Sequence, residues 1–447
     1  MLEIRDQINL IDDSHITKPV EIDDLSKRSG ETVQMEGAVH KIRSLGNVAF
    51  IVIRTIRDKL QVVLDGESMQ LLSGLKEGDF VKFSGVVEEN PKAYKGQEVR
   101  ATAIDKLSGA KDVLEVNLGA KELPMNLETK LDRRILTLRH LRERAVFKLQ
   151  EGVGVAFREY LLDQRFTEIH SPKIVAAGAE GGANIFKLDY FGRPAFLAQS
   201  PQFYKQFMVP VYGRVFEVGP VFRAEKHATS RHINEYTSLD FEMGFIDSFR
   251  DVMSMEVGFL KYLIGVLGQR YGHELELLGI KLPDISSVPA IKFADAKEQV
   301  AKKYNRKYRD PYDLEPEEER LIGDMVKQET GSDFVFLTHY PKAKRPFYTM
   351  SSTEDPNYTE SFDLLFKGLE ITTGGQRIHD YDTQVEALRA KGLNPDDFKD
   401  YLELHKNGTP PHGGCGIGLE RLTLKLLGGT NVREATLFPR DLNRLTP

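Results

Sequence analysis

One segment in the middle of the chain alternates charged and apolar side chains in a pattern that suits a binding site. The alternation covers 221–225, and it resumes over 231–243 beyond a polar turn. A two-residue period predicts two antiparallel strands with one face in a site and one in a core. Arg223 and Glu225 then point the same way. The guanidinium can bind a phosphate, and the carboxylate can accept from an amine or hold a metal. A surface hairpin with a salt bridge is the alternative.

A glycine-rich segment, 412–421, predicts a strand that enters a helix with Arg421 in the first helical turn. Glycines allow the backbone to approach a ligand closely, and a helix start beside an arginine favours phosphate. Too little chain follows to complete a Rossmann unit. By spacing alone, an ordinary packed strand explains the segment as well as a phosphate site does.

Two other segments add possible ligands. The first, 363–377, supplies two carboxylates, a hydroxyl and Arg377, and Mg²⁺ prefers oxygen ligands together with bound phosphate. A strand with solvated charges is the alternative, although two adjacent glycines favour close approach of a ligand. The second, 199–206, is a proline-stiffened turn into a helix. Its Lys205 could pair with a substrate carboxylate, and an exposed lysine at a helix start explains it equally well.

The N-terminal part of the chain predicts a small β-barrel. Five strand-like segments fall within 31–107, and a helix from 66 or 68 to 75 fits between the third and fourth. This pattern indicates a barrel of the OB type, which often binds single-stranded nucleic acid by stacking bases on aromatic rings. Phe50 is either such a ring or a core residue. Periodicity is lost over 105–130, which predicts a linker.

The rest of the chain predicts an α+β domain rather than a doubly wound one, because antiparallel strands dominate and helices are inserted among them. Helical spacing covers 138–164, and Pro172 halts the strand that follows. The other predicted helical regions are 249–271, 283–331 and 419–427, and the other predicted strands are 334–338, 347–350, 362–372 and 412–418.

Composition limits the class of protein. With 447 residues the chain can form more than one domain, and it contains no apolar run of membrane-spanning length. The single cysteine, Cys415, excludes a disulfide framework and a multi-cysteine zinc site. These features predict a cytoplasmic protein without a membrane segment. A net charge of -6 argues against indiscriminate binding to nucleic acid, but not against a local basic face.

Together these segments resemble a known family. The strand ending at Pro172, the segment around Arg223 and the segment 416–421 resemble motifs 1, 2 and 3 of class II aminoacyl-tRNA synthetases, in that order. The barrel is similar to the anticodon-binding domain of the subclass for aspartate, asparagine and lysine. The segments 199–206 and 368–379 resemble aspartyl-tRNA synthetases. The spacing of 198 residues between Arg223 and Arg421 fits their compact archaeal and eukaryotic type.

The resemblance implies an OB-fold anticodon-binding domain over 1–107, a linker over 108–130 and a class II catalytic domain over 131–447, built on an antiparallel sheet flanked by helices. It implies a ligase that activates L-aspartate with ATP, uses Mg²⁺ and transfers the aspartate to tRNA(Asp). It leaves open whether tRNA(Asn) is charged as well. Motif 1 of this class builds a dimer interface, so a homodimer is implied.

The resemblance also assigns site residues. Arg223, Arg421 and Glu370 are implied as catalytic, and Glu370, Asp363 and Thr373 as Mg²⁺ ligands, with Thr373 where the family usually has serine. The barrel residues Arg43, Phe50 and Gln61 are implied to contact the anticodon. The implied ATP site consists of Arg223, Ala224, Glu225, Arg231, His232, Ile233, Tyr236, Glu370, Gly418, Leu419, Glu420 and Arg421. The implied aspartate site consists of Glu180, Gln202, Phe203, Tyr204, Lys205, Arg223, Asp240, Thr373 and Arg377.

In this family Lys205 and Arg377 would hold the substrate side-chain carboxylate, which favours aspartate over neutral asparagine. Three alternatives remain. An asparaginyl-tRNA synthetase shares the three motifs. An ammonia-dependent asparagine synthetase on the same core should lack the barrel. An inactive RNA-binding paralogue should have lost Arg223, Glu370 or Arg421, and the chain has all three.

Overall fold

The computed structural model describes residues 19–112, 114–176, 184–227, 229–307 and 309–447. The chain divides into two compact units, Met1–Glu143 and Arg144–Pro447, and each has its own hydrophobic core. None of the helices in the described ranges combines the length and the hydropathy that a membrane span requires.

The first unit contains a closed barrel of five strands in the order β1-β2-β3-β5-β4. Alternating side chains of β1 fill its interior, among them Val33 and Met35. A short 3₁₀ helix, Gly66–Leu72, follows β3, where the sequence predicts a helix. The prediction of an OB-type barrel is therefore confirmed. The strands are β1 Thr32–Leu45, β2 Val48–Arg54, β3 Lys59–Asp65, β4 Phe80–Glu89 and β5 Gln97–Ser108.

The second unit is built on an eight-stranded sheet in the order β12-β13-β14-β15-β16-β11-β10-β6, beside a smaller sheet in the order β7-β9-β8. The β6–β10 and β12–β13 pairs are parallel, and the other neighbours in the large sheet are antiparallel. The strands are β6 Thr167–Glu168, β7 Ile174–Val175, β8 Lys187–Tyr190, β9 Arg193–Leu197, β10 Arg214–Phe222, β11 Glu235–Gly244, β12 Ala290–Lys292, β13 Phe334–Thr338, β14 Ser361–Phe366, β15 Leu369–Gln376 and β16 His412–Gly418.

Two long helices cover one face of the large sheet. The ring of Phe157 in α4 lies 5.1 Å from that of Phe259 in α6 and 5.8 Å from that of Phe216 in β10, both edge to face. The α+β class is therefore confirmed. The helices are α1 Ile22–Leu25, α2 Leu127–Asp132, α3 Arg134–Thr137, α4 Leu141–Asp163, α5 Gln202–Tyr212, α6 Phe249–Arg270, α7 Gly272–Leu278, α8 Phe293–Tyr304, α9 Pro316–Thr330, α10 Tyr381–Ala390, α11 Lys399–Lys406 and α12 Leu419–Leu427.

The structure corrects several predicted elements. The single strand predicted over 362–372 is the hairpin β14–β15, because Lys367 and Gly368 adopt positive φ angles of 46° and 69° and reverse the chain. The segment 347–350 forms only an isolated bridge, between Thr349 and Arg377. The region 283–331 contains strand β12 as well as helices, and the helices α10 and α11 were not predicted.

Candidate active site

A cavity of about 300 Å³ opens on the face of the large sheet that α4 and α6 do not cover. Its lining comes mainly from β11, β15 and β16, from the starts of α5 and α12, from Arg223, Glu225 and residues 231–233, and from the segment 344–349. The strand alternation explains this arrangement. On β11, Ser238 and Asp240 line the cavity, while Leu239 and Phe241 belong to the core behind it.

Glycines of β16 leave room for the carboxylates of β11. Asp240 and Glu242 lie directly opposite Gly416 and Gly414 in the antiparallel register. A Cβ atom at Gly414 would overlap the carboxylate of Glu242, and a Cβ atom at Gly416 would lie 3.1 Å from Oδ1 of Asp240. The glycine-rich segment therefore serves close packing of side chains beside the cavity.

Four buried charged side chains form a cluster beside the cavity, and all but the last of them line it: Lys205, Arg377, Asp240 and Glu242. Nζ of Lys205 donates to Oδ1 of Asp240 at 3.0 Å, and it lies 3.3 Å from Oε2 of Glu242. Nε of Arg377 donates to Oε1 of Glu242 at 2.9 Å. We call these four residues the buried quartet. Its two cations and two carboxylates balance, which makes their burial tolerable.

The partners in the quartet keep one another charged. Burial alone would raise the pKa of Glu242, but Arg377 and Lys205 outweigh that effect and lower its pKa. Burial alone would lower the pKa of Lys205, but Asp240 and Glu242 outweigh it and raise that pKa. Both groups therefore remain ionised at neutral pH.

Three arginines from two distant parts of the chain converge on the same cavity: Arg223 and Arg231 from one loop, and Arg421 from the start of α12. The guanidinium carbon of Arg223 lies 5.9 Å from the ring centre of Tyr236. Nη1 of Arg421 donates to the main-chain oxygen of Glu370 at 2.9 Å. Such a group of guanidinium donors suits a ligand with several phosphates.

Carboxylates lie beside these arginines. Oε1 of Glu370 accepts from Oγ1 of Thr373 at 3.0 Å and lies 3.5 Å from Nη1 of Arg421. Burial opposes ionisation of Glu370, but Arg421 and Arg345 outweigh it and lower its pKa. Burial, together with the charge of Glu370, raises the pKa of Asp363 to about 6, although Arg345 opposes the rise.

Both parts of the chain match models of known protein families. Residues 126–442 match the family model described as tRNA synthetases class II (D, K and N), and residues 33–107 match the model of the OB-fold nucleic acid binding domain. The chain belongs to the class II tRNA synthetases. The family predicted from the motifs is thereby confirmed.

Three relatives of this synthetase illustrate the similarity. The chain is 47% identical to the aspartate–tRNA(Asp/Asn) ligase of Deinococcus radiodurans, over 95% of this chain and 98% of the relative. It is 46% identical to the aspartate–tRNA(Asp/Asn) ligase of Thermus thermophilus, over 95% and 99%. The crystal structure of asparaginyl-tRNA synthetase from Pyrococcus horikoshii, complexed with asparaginyl-adenylate, matches with a TM-score of 0.87 at 29% identity, over 97% and 100%.

Most site residues that the motifs predict line the cavity of this synthetase. Arg223 and Glu225 do so from the loop after β10, and not from a strand as the alternation predicts. The loop arises because the β10–β11 ladder ends at the Phe222–Glu235 pair. The predicted residues in the lining are Gln202, Lys205, Arg223, Glu225, Arg231, His232, Ile233, Tyr236, Asp240, Glu370, Thr373, Arg377, Gly418, Glu420 and Arg421.

Two residues of the predicted ATP site, His232 and Glu420, have side chains that are not simply charged groups facing the ligand. Burial and the charge of Arg421 lower the pKa of His232, so at neutral pH its ring is uncharged and offers phosphate a hydrogen bond but no ion pair. The carboxylate of Glu420 is buried and accepts from the main-chain N–H of Thr237 at 3.0 Å.

Other predicted residues lie away from the lining. Phe203 and Tyr204 leave α5 on a different face from Gln202 and Lys205, and they line a neighbouring cavity instead. Leu419 is part of the hydrophobic core. Ala224 and Asp363 are also outside the lining, and Oδ1 of Asp363 accepts from Nη2 of Arg345 at 2.7 Å. Glu180 lies outside the described residues.

The residues at or beside the site that were not predicted from the sequence include Glu242, Glu319 and Arg345. Glu242 stands two residues after Asp240, so the strand period could have placed it on the same face. Glu319 of α9 pairs with Arg231 and accepts from the main-chain N–H of Glu370 at 3.0 Å. No local pattern indicates that α9 reaches this site.

The predicted anticodon residues lie on neighbouring strands of the barrel. Arg43 of β1 is the register partner of Phe50 in β2, and Val52 of β2 is the partner of Gln61 in β3. Arg43 is exposed, and Phe50 and Gln61 are half-buried. Nε2 of Gln61 donates to Glu98 at 2.7 Å, which orients the amide.

Proposed function

We propose that this synthetase is an aspartate–tRNA ligase. It activates L-aspartate with ATP to form aspartyl-adenylate and pyrophosphate, and then transfers aspartate to the 3′ end of its tRNA. The observation that carries this proposal is that Lys205, Asp240 and Arg377 of the buried quartet line the same cavity as the three arginines. The names of the relatives from Deinococcus radiodurans and Thermus thermophilus support it.

Selection of aspartate follows from the kind of polar atoms that the quartet presents. Lysine and arginine side chains only donate hydrogen bonds. A carboxylate accepts through both oxygens, whereas the amide of asparagine would direct N–H groups at other donors. Asp240 and Glu242 already balance the charges of Lys205 and Arg377, so discrimination rests on donor geometry rather than on net charge.

The arginines suit the activation step. An oxygen of the α-carboxylate of aspartate attacks the α-phosphorus of ATP, and the bond from that phosphorus to the bridging oxygen of pyrophosphate breaks. Arg223 would bind the α-phosphate and the attacking carboxylate, and Arg421 would bind the outer phosphates against the adenine face. Fixed positive groups in a partly buried cavity stabilise the charge that develops in this transition state. No side chain is required as a covalent nucleophile.

The carboxylates suit Mg²⁺ in this proposal. Among the described residues no cluster of three His, Cys, Asp or Glu side chains could hold a metal alone. Glu370, Thr373 and Asp363 nevertheless offer oxygen ligands, and the mutual repulsion of the two carboxylates contributes to the raised pKa of Asp363. Mg²⁺ is usually held by one or two carboxylates together with substrate phosphates. When bound it would neutralise charge on the pyrophosphate leaving group.

Partners of the protein belong to the same proposal. We propose tRNA(Asp) and tRNA(Asn) as substrates, because the names of both relatives include the two tRNAs. Arg43, Phe50 and Gln61 would contact the anticodon. A homodimer through the predicted motif 1 is part of the proposal, and exposed apolar side chains flank that motif, since Leu162 of α4 is 55% exposed and Ile174 of β7 is 49% exposed.

Exchange of pyrophosphate into ATP tests the amino-acid specificity. We expect exchange with aspartate, and at least 100-fold less with asparagine, in keeping with the discrimination that a site of matched polar partners achieves. Exchange that prefers asparagine would identify the alternative enzyme, which the similarity to the Pyrococcus horikoshii structure makes the main competitor. Charging of purified tRNA(Asp) and tRNA(Asn) with aspartate then tests the tRNA range.

A further inference from the structure

A chain of buried hydrogen bonds begins at the substrate cavity and continues into the protein behind α5. Nε2 of Gln202 lies 3.0 Å from Oε1 of Gln206, and Nε2 of Gln206 lies 2.9 Å from Nε2 of His412. Nδ1 of His412 lies 2.9 Å from the main-chain oxygen of Pro410. Only Gln202 of these side chains lines the cavity, and Gln206 and His412 are fully buried.

The carbonyl of Pro410 sets the direction of every bond in this chain. A carbonyl oxygen only accepts, so Nδ1 of His412 carries the proton. Burial lowers the pKa of His412 to about 4, so the ring is neutral and its Nε2 accepts. The amide of Gln206 must then donate through Nε2 to His412 and accept through Oε1 from Gln202. The amide orientations are therefore dictated by the network.

The hydroxyl of Tyr401 lies on the other side of Gln206. Nε2 of Gln384 donates to the main-chain oxygen of Phe347 at 3.2 Å, which turns Oε1 of Gln384 towards the hydroxyl of Tyr401. The same hydroxyl lies 3.3 Å from Oε1 of Gln206. The hydroxyl has a single proton, which only one of these two oxygens can accept at a time, so the bond to His412 is what fixes the orientation of Gln206.

We propose that Gln206 is a positioning residue that fixes the Gln202 amide with its carbonyl oxygen available to the α-ammonium group of the bound amino acid. This inference rests on the proposed function, in which Gln202 belongs to the aspartate site. Because Nε2 of Gln202 is turned towards Gln206, the amide presents Oε1 on its other side, and Gln202 lines the cavity. An acceptor suits an ammonium ion, and a reversed amide would direct two donors at it.

The inference predicts an effect on one substrate alone. In the Gln206→Met variant the side chain keeps its length but no longer holds the Gln202 amide. We expect the KM for aspartate in pyrophosphate exchange to rise about 10-fold, the loss typical of one hydrogen bond to a charged group. The KM for ATP and the kcat should stay within about twofold, because the arginines are untouched.

Two further variants separate positioning from general packing. If Gln206 acts through Gln202, the double variant Gln202→Met with Gln206→Met should bind aspartate no worse than Gln202→Met alone. Tyr401→Phe serves as the matched control, since it removes a donor to Gln206 but leaves the Gln202–Gln206 bond. It should keep the wild-type ratio of the two KM values. Succinate, which lacks the ammonium group, should inhibit wild type and Gln206→Met equally.

The inference is overturned if Gln206→Met leaves the KM for aspartate unchanged, raises both KM values alike, or adds its full effect to that of Gln202→Met. The comparison of the double variant with Gln202→Met measures additivity even if Gln206→Met alone is less stable than the wild-type protein. Absence of aspartate-dependent exchange in the wild-type protein is a separate result, since it refutes the proposed function itself and the inference with it.

Discussion

Glu242 is the residue on which the buried quartet depends most. It contacts both cations, and its side chain is completely buried. Removing one partner of a buried ion pair is strongly destabilising, because the remaining charge has neither solvent nor a partner. A quartet with one carboxylate removed would carry an uncompensated positive charge. Glu242 thus connects stability with the preparation of the substrate site.

The first prediction concerns this carboxylate. The isosteric change Glu242→Gln should lower the free energy of unfolding by about 3 kcal/mol, measured by urea denaturation at pH 7. Glu354→Gln is the control, since its carboxylate also pairs with a lysine, Lys292, but on the surface, where an ion pair contributes little. Equal unfolding free energies for the two variants would contradict the importance assigned to the quartet.

The raised pKa of a second buried carboxyl group predicts how the stability of the protein changes with pH. Burial raises the pKa of Glu256, on α6, from 4.5 to about 8. Between these values the native state keeps a proton that the unfolded chain has lost, so the free energy of unfolding falls as pH rises through this window. From pH 5.5 to 8.5 this one group should remove on the order of 3 kcal/mol.

The variant Glu256→Gln tests this prediction because it cannot ionise. Unfolding in urea is measured for both proteins at pH 5.5 and 8.5, and the difference between the two pH values is compared. The wild-type protein should lose more stability than the variant over this interval. The same loss in both proteins would show that Glu256 does not carry the pH dependence.

At the scale of elements, the turn between β14 and β15 determines where Glu370 lies. Gly368 has a φ of 69°, and a Cβ atom there would lie 2.7 Å from the Cα atom of Arg320 in α9. Gly192 has a φ of 79° and no atom within 4 Å of its Cβ position. The two glycines therefore share the strained backbone conformation but differ in packing.

This difference gives the third prediction. Gly192→Ala should lower the free energy of unfolding by about 1 kcal/mol, the usual cost of a left-handed residue with a side chain. Gly368→Ala should cost roughly 2 kcal/mol more, because the hairpin must move from α9 or distort. Urea denaturation measures both. Similar losses of unfolding free energy in the two variants would show that the hairpin and α9 move apart at little cost.

The same hairpin shows what the sequence could and could not predict. Local patterns were sufficient for the barrel strands, for α6 and for the motif positions, because periodicity and glycine content are local properties. The turn at Lys367 and Gly368 was missed because apolar residues continue on both sides of it, and a single glycine is also compatible with an uninterrupted strand. Glu319 was missed because its contact with Arg231 joins residues far apart in the chain.

At the scale of the whole molecule, two compact units contain different chemical groups. The second unit holds the cavity with the arginines and the buried quartet, and the first holds the barrel with Arg43, Phe50 and Gln61. If the proposed function is correct, adenylate formation needs only the second unit, whereas tRNA charging needs both. A substitution in the barrel should then affect one reaction and spare the other.

The fourth prediction uses this division in the full-length protein. Arg223→Ala should reduce aspartate-dependent pyrophosphate exchange about 100-fold or more, because it removes a fixed charge from the transition state. Phe50→Ala should leave exchange unchanged and lower kcat/KM for tRNA charging about 10-fold or more, the cost of one lost base stack. Phe80→Ala is the control, since Phe80 is a partly exposed barrel phenylalanine with no proposed tRNA contact. A ring that only stacks on a tRNA base should have no effect on exchange. Equal damage to exchange by Arg223→Ala and Phe50→Ala would therefore contradict this division and show that the barrel takes part in activation.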